Sequence, residues 1–215
     1  MFSRFSPNRI SAKSGLTAAA NAGYPKKIAI FASGTGSNSQ KIIDHFKHSG
    51  EVEIACILYN KPTAGVKRIA EEENIPAIFL EKKAFFESDQ YLTLLKELEI
   101  DLVVLAGFLW KVPDSFIHAF PGAIINIHPA LLPDYGGKGM YGSIVHEAVI
   151  RNQEAFSGIT IHFVDEHYDN GDIIFQAKCP VLKDDTPETL ARRIHLLEHA
   201  NYPVVIETLL KQSRL

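Results

Sequence analysis

The chain has 215 residues, 46% hydrophobic and 22% charged, the balance of an ordinary globular protein with enough apolar side chains for a sizeable core. A formal net charge of -3 leaves no global basic face, so nucleic acid is not an expected partner, and no run reaches the roughly 18 apolar residues that suggest a membrane span. Cys56 and Cys179 both sit inside apolar, strand-like runs and read as buried free thiols in a reducing, cytoplasmic setting, not as a disulfide framework.

Residues 1–25 differ from the rest. They carry Arg4, Arg9 and Lys13, four serines and no acid. Organelle transit peptides share that composition, but the expectation here is a disordered tail or an overlong start, with 26–215 as a single domain. Residues 27–33 then form a nearly continuous apolar run, the pattern of a strand covered on both faces in a parallel sheet. Gly34, Thr35, Gly36, Ser37, Asn38 and Ser39 follow at once, and Ile42, Ile43 and Phe46 mark the apolar face of a helix ending near Gly50. Strand, glycine-rich turn and helix make a phosphate cradle, because glycines admit close backbone approach while free N–H groups and the helix dipole favour an anion. Ser39 replaces the third glycine of a dinucleotide loop, no acid follows the next strand at Tyr59-Asn60-Lys61, and the Gly-Lys-Ser/Thr of a P-loop is missing. A phosphate monoester site survives these exclusions, with a tight turn capped by Ser37 or Asn38 as the plainer alternative.

Residues 51–59 supply a second strand, 67–73 a short helix and 75–80 a third strand. Ser88 is placed to cap a helix through Tyr91, Leu92, Leu94, Leu95 and Leu98, after which 101–107 is another apolar strand. This alternation predicts an α/β fold, an open, mainly parallel, twisted sheet with right-handed crossovers and helices on both faces. Phe108, Leu109, Trp110, Lys111, Val112 and Pro113 leave the last strand's carboxyl end. They wall a pocket for a flat aromatic ligand or else are plain core.

Residues 123–127 have the β-branched density of a buried strand, and Pro129 then denies the ladder a donor. Asn126 and His128 stand two apart at that strand's end, so they project to one face, at the place where open α/β sheets put their ligands. The bland alternative is a satisfied core histidine beside a turn-forming asparagine. Four glycines in residues 136–142 predict a mobile loop, and a helix follows through Ile144, Val145, Ala148 and Val149, ending near Asn152. Residues 158–165 and 172–181 read as two strands joined by a turn, with His162 in the first and Asp169 in the turn, able to bring a carboxylate over the neighbouring strand end. Thr186 and Pro187 supply the N-cap and first position of a long helix through Leu190, Ile194 and Leu197, interrupted at Pro203.

Ser33-Gly34-Thr35-Gly36-Ser37-Asn38, Ala106-Gly107-Phe108, Asn126-Ile127-His128-Pro129-Ala130-Leu131-Leu132-Pro133, Asp169-Asn170-Gly171, Glu198-His199-Ala200 and Tyr202-Pro203 stand in one order and spacing that resembles the phosphoribosylglycinamide formyltransferase family of purine synthesis. The resemblance runs from about Lys27 to the last helix and implies a Rossmann-like formyltransferase fold. It also implies formyl transfer from 10-formyltetrahydrofolate to the amine of phosphoribosylglycinamide. By that likeness Asn126, His128 and Asp169 are catalytic, with His162 supporting them. Gly36, Ser37 and Asn38 hold the substrate phosphate, Glu198 lies near the glycinamide, and Leu109, Trp110, Lys111, Val112, Asn126, Asp165 and Asp169 line the folate site. No metal is implied, the partners are small molecules without nucleic acid or membrane, and the state is monomer or homodimer. The chemistry suits the residues independently, since an amide and a cationic imidazole can both donate to an oxyanion. Asp169 beside His128 is expected to raise the imidazole pKa above its ordinary value of about 6.5. Two departures bear on folate affinity: Ser88 stands where some members carry an arginine, and the 136–142 loop is unusually rich in glycine.

Rival readings are formyl transfer to initiator methionyl-tRNA or to an amino-sugar nucleotide, a non-catalytic folate or nucleotide binder, and a zinc hydrolase using His128, His162 and Asp169. The last lacks a compact ligand spacing.

Overall fold

The computed structural model describes residues 24–212, so the expected tail lies outside the described residues apart from Tyr24 and Pro25. In chain order the elements are β1 (Lys26–Ala32), α1 (Ser37–Phe46), β2 (Val52–Tyr59), α2 (Val66–Glu72), β3 (Ala77–Phe79), α3 (Lys82–Glu87), α4 (Gln90–Glu97), β4 (Leu102–Leu105), α5 (Asp114–Ala119), β5 (Ile124–His128), α6 (Ser143–Arg151), β6 (Phe156–Phe163), β7 (Ile173–Pro180) and α7 (Pro187–Gln212). The strands form one seven-stranded sheet in the order β3-β2-β1-β4-β5-β6-β7. Pairings among β3, β2, β1, β4 and β5 are parallel, and β6 and β7 continue antiparallel. The mainly parallel α/β sheet expected from the alternation is therefore present.

Both faces are covered, which is why the central strands read as unbroken apolar runs. Ile28, Ile30 and Ala32 of β1 point into one core with residues of α1, α2, α6 and α7, while Ala29 and Phe31 point into a second core with residues of α3, α4 and α5. β5 obeys the same period of two. Ile125 and Ile127 enter the first core and Ile124 the second, so Asn126 and His128 share the face of Ile124. The chain builds outward from β1 to β2 and β3, then returns to the other side of β1 with β4. That reversal leaves a crevice at the strands' carboxyl ends.

Local details differ from the pattern reading in three places. A separate helix, α3, precedes α4, and Ser88 serves both: its Oγ donates to the carbonyl of Ala84 at 2.8 Å, closing α3, and accepts from the Gln90 N–H of α4 at 3.4 Å, although Asp89 holds the N-cap position of α4. The apolar run after β4 leads into α5, which is too short to declare a period. α7 is not interrupted at Pro203 but runs on to Gln212, with Pro203 buried inside it. Proline removes one ladder bond at a cost of about 3 kcal/mol. Packing of α7 against α1, α6 and β6 offsets that cost. At its start, Thr186 and Thr189 bond each other's backbone N–H reciprocally, as the cap reading expected.

Tyr202 of α7 ties this helix to the centre of the sheet. Its side chain is fully buried and its hydroxyl lies 3.0 Å from the carbonyl of Leu105 and 3.4 Å from that of Ile125, bridging β4 and β5. Tyr202→Phe should destabilise the fold by about 1–2 kcal/mol, read from urea unfolding, because two buried acceptors lose a donor. An unchanged midpoint would remove this bridge from the account of how β5 is seated.

Candidate active site

The crevice is a cleft of about 410 Å³, within the range of roughly 300–1,000 Å³ usual for ligand pockets. One end is the turn after β1. Gly36 caps α1 with φ 84°, no side chain caps the helix, and the first ladder bond is Gln40 N–H to the Gly36 carbonyl at 2.8 Å. The N–H groups of Ser37, Asn38 and Ser39 thus lack helical partners and suit an anion. A Cβ on Gly36 would stand 2.8 Å from Ile69 Cδ1 and 2.9 Å from Val66 Cα, so the packing of α2 behind the turn demands glycine as much as the positive φ does. Asn38 is not a side-chain cap. Its Nδ2 donates to Glu198 of α7 at 2.9 Å. Glu198 is only 6% exposed, and burial raises its carboxyl pKa despite that bond and nearby His195.

The other end is the segment after β4. The Ser33 N–H bonds the Gly107 carbonyl at 3.0 Å and the Leu109 N–H bonds Ser33 Oγ at 2.9 Å, which ties the wall to the cradle. Phe108 and Val112 are buried, and Leu109 stays 41% exposed to the cleft. The segment is therefore core on one side and pocket wall on the other. Trp110 stacks at a tilt on Phe85 and Phe86 of α3, with centroids 5.6 Å apart in each case.

Between the two ends lie the residues of β5. His128 is 3% exposed, and its Nε2 is 2.8 Å from the carbonyl of Tyr135. A carbonyl only accepts, so Nε2 carries the proton and Nδ1 is left facing Asp169 Oδ2 at 3.6 Å. His162, opposite Asn126 in the β5–β6 ladder, holds the amide. Its Nδ1 donates to the Phe163 carbonyl at 2.7 Å, which leaves Nε2 to accept from Asn126 Nδ2 at 3.2 Å. Asp169, with φ 53°, reaches back from the β6–β7 turn to lie 3.6 Å from His162 Nε2 and to accept from the Gly137 N–H at 2.9 Å.

Burial pushes the Asp169 carboxyl up, but the His162 ring, the His128 charge and the Gly137 N–H outweigh it and leave its pKa below the ordinary value. His128 corrects the sequence reading. Burial lowers its pKa, and this outweighs the upward pull of Asp169 and of the Tyr135 carbonyl. Proximity to a carboxylate was legible; the desolvation that overrides it was not.

Every residue assigned from the sequence lines this one cleft: Gly36, Ser37 and Asn38, Leu109 through Val112, Asn126, His128, His162, Asp165, Asp169 and Glu198. Asp165 does so while accepting from the His167 N–H and from Asn170, so it also shapes the turn that carries Asp169. Lys61, His146 and His195 line it too and were missed. Lys61 follows the carboxyl end of β2, a position the parallel topology could have flagged. His195 precedes Glu198 by one turn on α7. His146 shares the buried face of α6 with Val145 and Val149, where periodicity reads it as core. Among the described residues, no three or more His, Cys, Asp or Glu side chains are grouped to hold a metal.

Two measurements check this geometry. Gly36→Ala should destabilise by about 1–3 kcal/mol, whereas Gly137→Ala, where the φ is also positive but nothing lies within 4 Å of the added carbon, should cost less. Burial, with His195 and His128 nearby, pushes the His146 pKa down to about 4. Its neutral form is the folded one, so stability should fall as pH drops from about 6.5 toward 4 and be insensitive to this residue above 6.5. Thermal unfolding of His146→Gln across that window should lose less than the parent; parallel curves would contradict the assignment.

Residues 26–206 match the family model described as Formyl transferase. The chain is 44% identical over 193 residues to the chloroplastic phosphoribosylglycinamide formyltransferase of Vigna unguiculata, covering 87% of this chain and 62% of that relative. It is 38% identical over 190 residues to phosphoribosylglycinamide formyltransferase of Bacillus subtilis, covering 86% of this chain and 95% of the relative. It thus spans under two thirds of the length of the two plant relatives, 62% and 64%, and nearly all of the bacterial one. The crystal structure of phosphoribosylglycinamide formyltransferase from Bacillus halodurans superposes with a TM-score of 0.78 at 37% identity, covering 86% of this chain and 95% of that one. That of glycinamide ribonucleotide transformylase 1 from Symbiobacterium toebii gives 0.80 at 32% identity, covering 88% and 90%. With this sheet order, this cleft and these relatives, the chain belongs to the phosphoribosylglycinamide formyltransferase family.

Proposed function

We propose that the chain transfers a formyl group from 10-formyltetrahydrofolate to the amine of N1-(5-phosphoribosyl)glycinamide, giving the N-formyl product of de novo purine biosynthesis. The carrying observation is that an anion cradle, an apolar wall and an amide–imidazole–carboxylate cluster share one cleft, with the cluster in the middle. Gly36, Ser37 and Asn38 then hold the phosphate, and Glu198 faces the glycinamide. The half-exposed Leu109, with Trp110, Lys111 and Val112, offers a flat ring an apolar face, and Asp165 in the neighbouring turn completes that side. The folate supplies the formyl carbon and its leaving nitrogen.

The residues at the centre act on charge and protons. As the amine bonds to the formyl carbon, negative charge gathers on the formyl oxygen, and Asn126 Nδ2 and His128 Nδ1 are the donors aimed at that site. Nδ1 donates only when protonated. Burial opposes that proton, while Asp169 and the developing oxyanion favour it, so the donor is strongest when charge is greatest. Asp169, held ionised, steadies the imidazolium and orients a water that carries the amine's proton to the departing nitrogen. His162 fixes the Asn126 amide. Since these groups supply donation and proton movement, the reading includes no metal. We read the protein further as a cytoplasmic monomer or homodimer acting on small molecules. Its negative net charge and free thiols support that reading, and no helix among the described residues is long and apolar enough to cross a membrane.

Mixing the protein with 10-formyltetrahydrofolate and phosphoribosylglycinamide and following folate absorbance tests donor and acceptor together; no formyl transfer would sink the reading. Asp169→Asn keeps shape and removes charge. It should lower kcat by about 10²-fold or more while leaving the phosphate-side KM nearly intact. The loss of kcat on the alkaline side should also move to lower pH, because the His128 imidazolium loses the charge that favours it. Near-parent kcat in a folded Asn variant would remove Asp169 from the mechanism.

A further inference from the structure

Tyr135 follows the Pro133 stretch with φ 57°, a left-handed conformation unfavourable for a residue with a side chain. Three contacts surround it. Its carbonyl oxygen accepts the Nε2–H of His128 at 2.8 Å. Its ring packs against the core shared by α6 and α7. Its hydroxyl donates to Glu154 Oε1 at 2.6 Å and accepts from Asn152 Nδ2 at 2.9 Å. Asn152 and Glu154 lie just past the end of α6 and are pinned to it, through N–H bonds to the carbonyls of Ala148 at 3.0 Å and Val149 at 3.2 Å.

The chain beyond Tyr135 is tied down two residues on, where the Gly137 N–H bonds Asp169 Oδ2 at 2.9 Å. Gly137 and Gly139 have positive φ and open space where a side chain would stand. The backbone at residue 135 itself is held by its own side chain, reaching away from the cleft to the end of α6. We propose that Tyr135 is a positioning residue for His128: the hydroxyl clamp of Asn152 and Glu154 holds the 135 carbonyl in place, and this carbonyl keeps the proton on Nε2 and aims Nδ1 at Asp169 and the reacting oxygen.

The inference rests on the reading of His128 as oxyanion donor. The distinction from simple packing is chemical, because Phe keeps the ring and loses only the clamp. Glu154 is exposed, so its replacement leaves the core untouched. Tyr135→Phe and Glu154→Ala should each lower kcat by about 2- to 10-fold, with both KM values within about twofold of the parent. The double variant should be no worse than the worse single, and Glu154→Gln, which keeps an acceptor, should restore kcat. Imidazole nitrogen NMR supplies a readout independent of turnover. His128 should be an Nε2–H tautomer in the parent and a mixture, with a moved pKa, in Tyr135→Phe and Glu154→Ala. An unchanged His128 spectrum in folded Tyr135→Phe, or a raised KM at constant kcat, overturns the proposal. If His128→Ala still turns over, the catalytic reading of His128 fails, yet the tautomer shift in Tyr135→Phe would still support the clamp, so the two failures are told apart.

Discussion

The reversal of strand order between β1 and β4 is the constraint on which the rest depends. Parallel strands carry their connecting helices away to both faces, and where consecutive connections leave in opposite directions, nothing fills the space above the two carboxyl ends. The turn after β1 and the segment after β4 face each other across that space. They are joined by two short bonds between Ser33 and the 107–109 backbone. β5, next in the sheet, brings Asn126 and His128 to the same rim. The glycine-rich turn, the apolar wall and the polar centre are therefore neighbours for a topological reason, although 92 positions of chain separate Gly36 from His128.

The change of strand direction at β5 is the second decisive feature. Because β6 runs antiparallel, His162 lies directly opposite Asn126, and the β6–β7 turn can fold back with Asp169 above both imidazoles. A parallel neighbour would have needed a long crossover and could not place a short turn there. Gly171 belongs to the same device. A side chain at 171 would collide with the Phe163 carbonyl, so the tight return that carries Asp169 is compatible only with glycine.

Electrostatically the site balances burial against partners. His128, His162 and Glu198 are all nearly inaccessible, and Asp169 is only slightly less so. Burial works against charge here, lowering the His128 pKa and raising that of Glu198, while at Asp169 two imidazoles and one N–H outweigh the penalty and hold the carboxyl below its ordinary pKa. A centre with one secure anion and one histidine poised to gain a proton is suited to a reaction in which negative charge appears and then leaves.

The sheet, its two covered faces, the glycine-rich turn before α1 and the end of β5 were legible in the sequence, because apolar periodicity, glycines and prolines act over a few residues. The matching motifs also marked Asn126, His128 and Asp169, although not their contacts. Short-range rules passed over α3 and α5 and broke α7 at Pro203, where packing against α1 and β6 overrides the local preference. Tertiary structure alone decided what surrounds the central polar groups: the Tyr135 carbonyl on His128, the His162 nitrogen on Asn126, and Lys61, His146 and His195 in the cleft wall. It also set the direction of the His128 pKa. Desolvation sums over every element packed around a group, so no neighbourhood in the chain encodes it.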